Sequence, residues 1–315
     1  MSWWKINCIL FRKGPLWVCL RNGDRLSLRI YLHGGGKFRA AADLVMPRSA
    51  ESADQPLGKF MRRRFGKELV ENLIEPIFSG LYGGDIDRMS LASTFPAFYQ
   101  IEQKHRSLIA GVKKDDSLNA DSFTTTSEGI FQTFENGMQT LIDALEKALA
   151  DCTILKGVKV DKIRREQDKA LLHLNNDSDL LVDEVIFALP HEKIQPLFES
   201  SGLLGNLKEM PSTSVATVSV AFSGDAIDSS AANGMGFVVS RNSDFTITKC
   251  LAMHTKWPVH VPAGKMLFKA FVGRTGDEAV VDLSDREIER MVLEDLRKAI
   301  PISGEPDFTI VTPLE

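Results

Sequence analysis

Histidine, cysteine and tyrosine are scarce in this 315-residue chain, at 6, 4 and 3 residues. Cys8, Cys19, Cys152 and Cys250 stand far apart, so no pair has redox or metal-ligand spacing. They are expected to be reduced, with Cys152 and Cys250 as buried apolar fillers. The histidines are equally dispersed, without HxH or HxxxH, which argues against a metal centre. No apolar run approaches the roughly 18–20 residues that span a bilayer. The short apolar stretch near the start lacks the flanks of a signal peptide. A cytoplasmic location is the expectation. A net charge of −4 supplies no basic excess, so nucleic acid is not an expected partner. Also missing is any GxGxxG that follows a hydrophobic strand, the usual seat of a dinucleotide pyrophosphate.

What is present is a globular composition, 43% hydrophobic and 25% charged, long enough for one large or two ordinary domains. Residues 1–33 alternate apolar and basic positions without a clear period, the wrong texture for a folded start. From Phe38 to Val45 the pattern predicts a short helix that ends before Pro47. Leu69, Val70, Leu73, Ile74, Ile77, Phe78 and Leu81 then fall on one helical face between Lys67 and Tyr82. Pro76 should kink that helix or begin a new one, and Gly83-Gly84-Asp85 should stop it. Met89 to Ile109 reads as helix, and the polar stretch from Lys113 to Ser127 as a mobile excursion.

The next part is mixed. Phe134-Glu135-Asn136-Gly137 turns into a helix with Leu141, Ala144, Leu145 and Ala148 as its expected buried face. Strands are expected at Thr153–Leu155, Val158–Val160, Ala170–Leu174 and Asp183–Ala188. From Thr213 the chain is strand-rich: Val215–Phe222, Gly236–Ser240, Phe245–Ala252 and Met266–Val272. A last amphipathic helix carries Ile288, Met291, Val292 and Leu296.

Three clusters invite a chemical reading and each has a plainer one. Gly34-Gly35-Gly36-Lys37 lacks the GxxxxGK[ST] spacing of a phosphate cradle, and Phe38 offers no hydroxyl for a metal. Arg62-Arg63-Arg64 could bind anions, yet Lys67-Glu68 and Glu71 nearby favour a solvated helix face. Glu102-Gln103-Lys104-His105-Arg106 reads as a surface charge run rather than an acid–base pair. The strand from Asp183 to Ala188, running into Leu189-Pro190-His191, suits close passage of a backbone beside a cofactor.

Together these segments resemble a known family. Phe65 to Asp85, with Glu71-Asn72-Leu73-Ile74-Glu75-Pro76 and Ser79-Gly80-Leu81-Tyr82-Gly83-Gly84-Asp85, is similar to RRxGxExxENLIEPxxSGxYAGD. That pattern marks the protoporphyrinogen/coproporphyrinogen oxidases, flavoproteins related to the amine oxidases. Leu91–Pro96, Glu102–Leu108, Phe134–Leu141, Gly236–Val239, Lys256–Pro258 and Lys269–Gly273 continue the resemblance in the same order. It covers about residues 34–312. The GxGxxG front and the glycine-rich closing segment of that family have no counterpart here. Residues 5–33, re-read one base earlier, resemble the missing family segment, so a shifted reading frame is expected there; the nucleotide sequence tests this.

The resemblance implies a mixed α/β (α+β) protein with the amine-oxidase-like fold: a helical domain, a partial FAD-binding Rossmann-like sheet and a strand-rich substrate domain. The expected boundaries are 1–37 for the aberrant N-terminal segment, 38–133 for the helical domain, 134–195 for the flavin part and 196–315 for the substrate part. Loss of the first βαβ unit is expected to leave the flavin sheet with an uncovered edge. The implied cofactor is FAD, and the implied partners are a porphyrinogen and dioxygen. Peripheral membrane contact and homo-oligomer formation stay open. Val160 and Ala188 are the implied flavin contacts, and Val238, Leu251 and Phe271 the implied walls of an apolar substrate slot. The cation that holds a propionate is expected outside this chain, and no catalytic acid or base is named. Without a seat for the pyrophosphate, the chain is expected to be inactive alone. Alternatives are another amine-oxidase-like flavoenzyme, such as a desaturase, and a non-catalytic porphyrin binder.

Overall fold

Alternating β-branched and small residues between Val215 and Val272 produce the central feature, an antiparallel sheet. A computed structural model describes residues 17–21, 34–49, 54–114, 132–198, 213–227, 234–241 and 243–314. The chain divides into two units, Met1–Gly137 with Thr213–Glu315, and Met138–Ser212.

Among the described residues the strands are β1 (Trp17–Arg21), β2 (Val160–Glu166), β3 (Lys169–Leu174), β4 (Asp179–Val182), β5 (Val215–Ser223), β6 (Gly234–Val239), β7 (Ile247–Ala252), β8 (Lys265–Val272) and β9 (Phe308–Leu314). In the first unit six of them pair antiparallel in the order β1-β6-β7-β8-β5-β9. The irregular N-terminal texture does not prevent Trp17–Arg21 from pairing with β6, because a ladder is made by backbone groups. The remainder of residues 1–33 lies outside the described residues.

The helices are α1 (Gly34–Ala41), α2 (Leu57–Phe65), α3 (Lys67–Leu69), α4 (Glu75–Tyr82), α5 (Leu91–Thr94), α6 (Pro96–His105), α7 (Leu108–Lys114), α8 (Gln139–Ala148), α9 (His191–Ile194), α10 (Met253–Lys256) and α11 (Asp285–Ala299). α1 begins at Gly34, ahead of the expected Phe38. α3 and α4 are continuous through a π-turn at Val70–Ile74. Pro76 cannot donate to the carbonyl four residues back, and the wider turn absorbs that defect. Gly83, at φ 70, ends α4 in the left-handed conformation. The helix expected from Met89 to Ile109 is broken at Phe95-Pro96 and at Arg106, where φ is 67. Beyond Lys114, the predicted excursion lies outside the described residues.

The helices of this unit bury Leu57, Phe60, Val70, Ile86, Leu91 and Ile101 in a core of their own. Phe78 and Phe95 meet edge-to-face there, with centroids 4.6 Å apart. Beside that core the arginine cluster departs from the expected solvated face. Arg64 is fully buried, with its Nε donating to Glu102 Oε1 at 2.7 Å and its Nη1 to Asp43 Oδ1 at 3.2 Å. Arg63 also pairs with Glu102, itself fully buried, so Glu102 is not part of a surface charge run. Asp43 further accepts from Ser107 Oγ at 2.6 Å and Ile109 N at 3.0 Å. The ionic group ties α2, α6 and α7 to the 3-10 turn Ala42–Leu44 that follows α1.

The opposite side of the sheet from the helices α3 and α4 closes on α11, whose Ile288, Val292 and Leu296 are buried as their spacing predicts. Ser284 N donates to the Glu287 carboxylate at 3.1 Å and fixes its first turn.

In the second unit β2-β3-β4 form an antiparallel meander. Ile163, Leu172, Leu174 and Leu197 make its small core. Three of the expected strands differ, and of Val158–Val160 only Val160 is in a strand, as the first residue of β2. Thr153–Leu155 and Asp183–Ala188 are outside any strand, and Ile186 is 94% exposed. An extended segment needs a ladder partner, and among the described residues none pairs with them. α8 forms, but Leu141, Ala144, Leu145 and Ala148 are exposed rather than buried. Cys152 is exposed as well, whereas Cys250 is buried as expected.

Replacing Arg64 with Met should lower folding stability by about 3–5 kcal/mol, since Glu102 and Asp43 would keep buried charges without their partner. Urea unfolding measures this; a loss below about 1 kcal/mol would contradict the burial argument.

Candidate functional site: a cationic sheet face

Side chains alternate across a strand, so register decides which residues share a face. Across the sheet, Val238 pairs with Lys249, Lys249 with Phe271 and Phe271 with Thr217. In the neighbouring row Gly236 pairs with Leu251, Leu251 with Lys269 and Lys269 with Ser219. Val238, Leu251 and Phe271 therefore lie together on one face of the sheet. Phe237, Cys250, Phe268, Ala270 and Val218 point the other way, into the core under α11.

Local features shape this face. Gly80 of α4 passes so closely that a Cβ there would lie 3.4 Å from Val238 Cγ1 and 3.9 Å from Lys249 Cβ. Gly236, at φ 139, leaves no room for a side chain, because a Cβ would fall 2.1 Å from the Cys250 carbonyl oxygen. Val238 is buried beneath this cover. Leu251 and Phe271 are half-buried, and Ile310 on the outer strand β9 is 55% exposed. The face thus runs from covered at β6 to open at β9.

Two residues on it were missing from the sequence-based set. Lys249 places its Nζ 4.0 Å from the Phe271 ring centroid, and Lys269 places its own 6.0 Å away. Desolvation lowers the Lys249 pKa, and the charges of Lys256 and Lys269 lower it further. Among the described residues neither Lys249 nor Lys269 forms an ion pair. The signal was available: Lys249 and Leu251, like Lys269 and Phe271, are two residues apart on strands. An aromatic, aliphatic and cationic surface of this kind suits a flat apolar ligand that carries negative groups.

A cavity of about 540 Å³ lies elsewhere, lined by Arg241, Arg274, Asp277, Asp295 and Lys298 among others. Its charges are largely matched internally: Arg241 Nε donates to Glu75 Oε1 at 2.7 Å and Lys298 Nζ to Asp295 Oδ1 at 3.0 Å. Among the described residues no cluster of His, Cys, Asp and Glu has metal-holding geometry, and no helix is long and apolar enough to cross a membrane.

Val160 and Ala188 belong to the second unit. Val160 opens β2 and packs on its small core, while Ala188 is exposed, next in the chain to Phe187 of the same cluster. A small exposed residue and open backbone fit the apolar contacts of a flavin nucleotide. Gly157, at φ 72, likewise has no atom within 4 Å of a Cβ position. A glycine-rich strand–turn–helix for the pyrophosphate is absent among the described residues, so the fit covers part of the cofactor.

Replacing Lys269 with Met should raise the titration midpoint of Lys249 part of the way toward the ordinary lysine value. One repelling charge disappears while desolvation, the larger cause, remains. A ¹³Cε NMR titration of Lys249 reads this; an unchanged or lower midpoint would contradict the proximity of the two ammonium groups.

Comparison with known proteins places the chain in a family. The model of the flavin containing amine oxidoreductase family matches residues 11–314. Coproporphyrinogen III oxidase of Bacillus subtilis (strain 168) is 48% identical over 278 residues, 88% of this chain and 59% of the relative. The enzyme of the same name from Staphylococcus aureus is 37% identical, with 89% and 61% covered. A crystal structure from Exiguobacterium sp. 255-15, described as a candidate protoporphyrinogen oxidase, superposes with a TM-score of 0.77. Its identity is 33%, over 90% of this chain and 60% of that one. The chain thus spans about three fifths of the length of the curated relatives it matches. By the reach of the family match and the level of identity, this chain belongs to the flavin-containing amine oxidoreductases.

Proposed function

We propose that this chain carries the substrate-binding part of an FAD-dependent, oxygen-dependent porphyrinogen oxidase of haem synthesis, acting in the cytoplasm. The observation that carries the reading is the shared sheet face of Val238, Leu251 and Phe271, in a chain 48% identical to a coproporphyrinogen III oxidase. A porphyrinogen is a large, mostly apolar macrocycle with carboxylate arms. Leu251 and Phe271 offer it apolar contact, Val238 and Gly80 close the inner end, and the open β9 side leaves an entrance.

When bound, the flavin would supply hydride acceptance and reoxidation by dioxygen to hydrogen peroxide. Val160 and Ala188 are the residues proposed to contact it. The residues of the sheet face hold and orient the ring and exclude water from it, a task that needs apolar walls more than an acid–base pair. The division into a helical part (38–133), a flavin part (134–195) and a substrate part (196–315) follows the same reading. Because no pyrophosphate seat occurs in this sequence, the chain by itself is proposed to bind the macrocycle without turning it over.

Titration of the purified chain with coproporphyrin III tests the binding half. A saturating shift of the porphyrin Soret band is expected, and its absence would remove the reading. Addition of FAD and coproporphyrinogen III in air tests the other half. No gain in porphyrin fluorescence above spontaneous oxidation is expected; a gain proportional to the amount of chain would show that it is a competent enzyme.

A further inference from the structure

The sheet face carries two positive charges that the proposed substrate contacts do not use. Lys249 and Lys269 flank Phe271, one directly across the strand pair and one two residues before it. Lys249 is half-buried, with its ammonium over the aromatic ring at 4.0 Å, and Lys269 stands 6.0 Å from the same ring. Lining up two lysines on one half-buried face is costly, because like charges repel and burial disfavours the charged form of Lys249. Among the described residues neither has a carboxylate partner. A cation–π contact offsets only part of such a cost. A charge-assisted hydrogen bond to a carboxylate is stronger and satisfies an ammonium donor directly.

We propose that Lys249 and Lys269 form a carboxylate-anchoring subsite, which receives the acidic arms of a tetrapyrrole whose ring lies on Leu251 and Phe271. The long, flexible lysine stem lets the Lys249 ammonium leave the Phe271 ring when a carboxylate arrives. The move uncovers the aromatic face for the macrocycle, so the charged and apolar contacts form together. Position also matters: half-buried Ser219 continues the row of Leu251 and Lys269 toward β9, whereas Thr217 in the row of Phe271 is buried. Lys256, near Trp257 on α10, contributes to the positive field but is not part of the subsite.

The inference rests on the porphyrinogen reading, and the test separates the two. Binding of coproporphyrin III and of its fully esterified form is measured in the same dilute detergent, for the wild-type chain and for Lys249→Met, Lys269→Met, the double variant and Lys249→Arg. Urea midpoints establish that each variant is folded. Each single Met variant should weaken free-acid binding about tenfold, the size of one lost charge-assisted contact. Ester binding should stay unchanged, and Lys249→Arg should restore most of the loss. Wild-type binding that survives the double variant undiminished would overturn the anchoring role and leave the porphyrinogen reading standing. Equal losses for acid and ester would assign the lysines a structural role instead, which also overturns it. Failure of the wild-type chain to bind either form would remove both readings.

Discussion

The two-residue period of an antiparallel sheet is the constraint on which this molecule depends. Register fixes one face of β5–β8 as core under α11 and the other as the face that carries Leu251, Phe271, Lys249 and Lys269. A slip of one residue in β7 or β8 would turn Leu251 and Phe271 into the core and bring Cys250 and Ala270 outward. The core therefore protects the site: Phe237, Cys250, Phe268 and Ala270 cannot change sides without losing burial worth about 25 cal/mol per Å². Gly236 adds a local lock, because its backbone conformation and its closeness to the Cys250 carbonyl exclude any side chain.

The helical layer is organised by charge as well as by apolar contact. Arg64 gathers Glu102 and Asp43 in a region where water does not compensate them, and Asp43 in turn holds the start of α7 through Ser107 and Ile109. Arg39 reinforces the group by donating to the carbonyl oxygens of Arg63 and Arg64 at 2.6 and 3.1 Å. These contacts satisfy the C-terminal carbonyls of α2, which would otherwise be orphaned. The consequence for the site is indirect: α3 and α4 follow α2 and carry Gly80 to Val238.

The sequence disclosed what periodicity and resemblance encode. The buried stripe of α11 and the strands from Val215 to Val272 were legible. The partners of Arg64 were not, because Glu102 and Asp43 lie 38 and 21 residues away while Glu68 and Glu71 are adjacent decoys. Lys249 and Lys269 were overlooked although alternation placed them beside the chosen residues. Ile154 and Ile186 show the limit of local pattern: an apolar run has strand character, but a strand exists only with a neighbour to pair.

The central claim is that a tetrapyrrole lies on the Leu251–Phe271 face. A crystal structure of the chain soaked with coproporphyrin III tests it most directly. The account predicts ring density against Leu251 and Phe271, with carboxylates near Lys249 and Lys269. Density instead in the cavity of Arg241 and Arg274, with the sheet face empty, would contradict it.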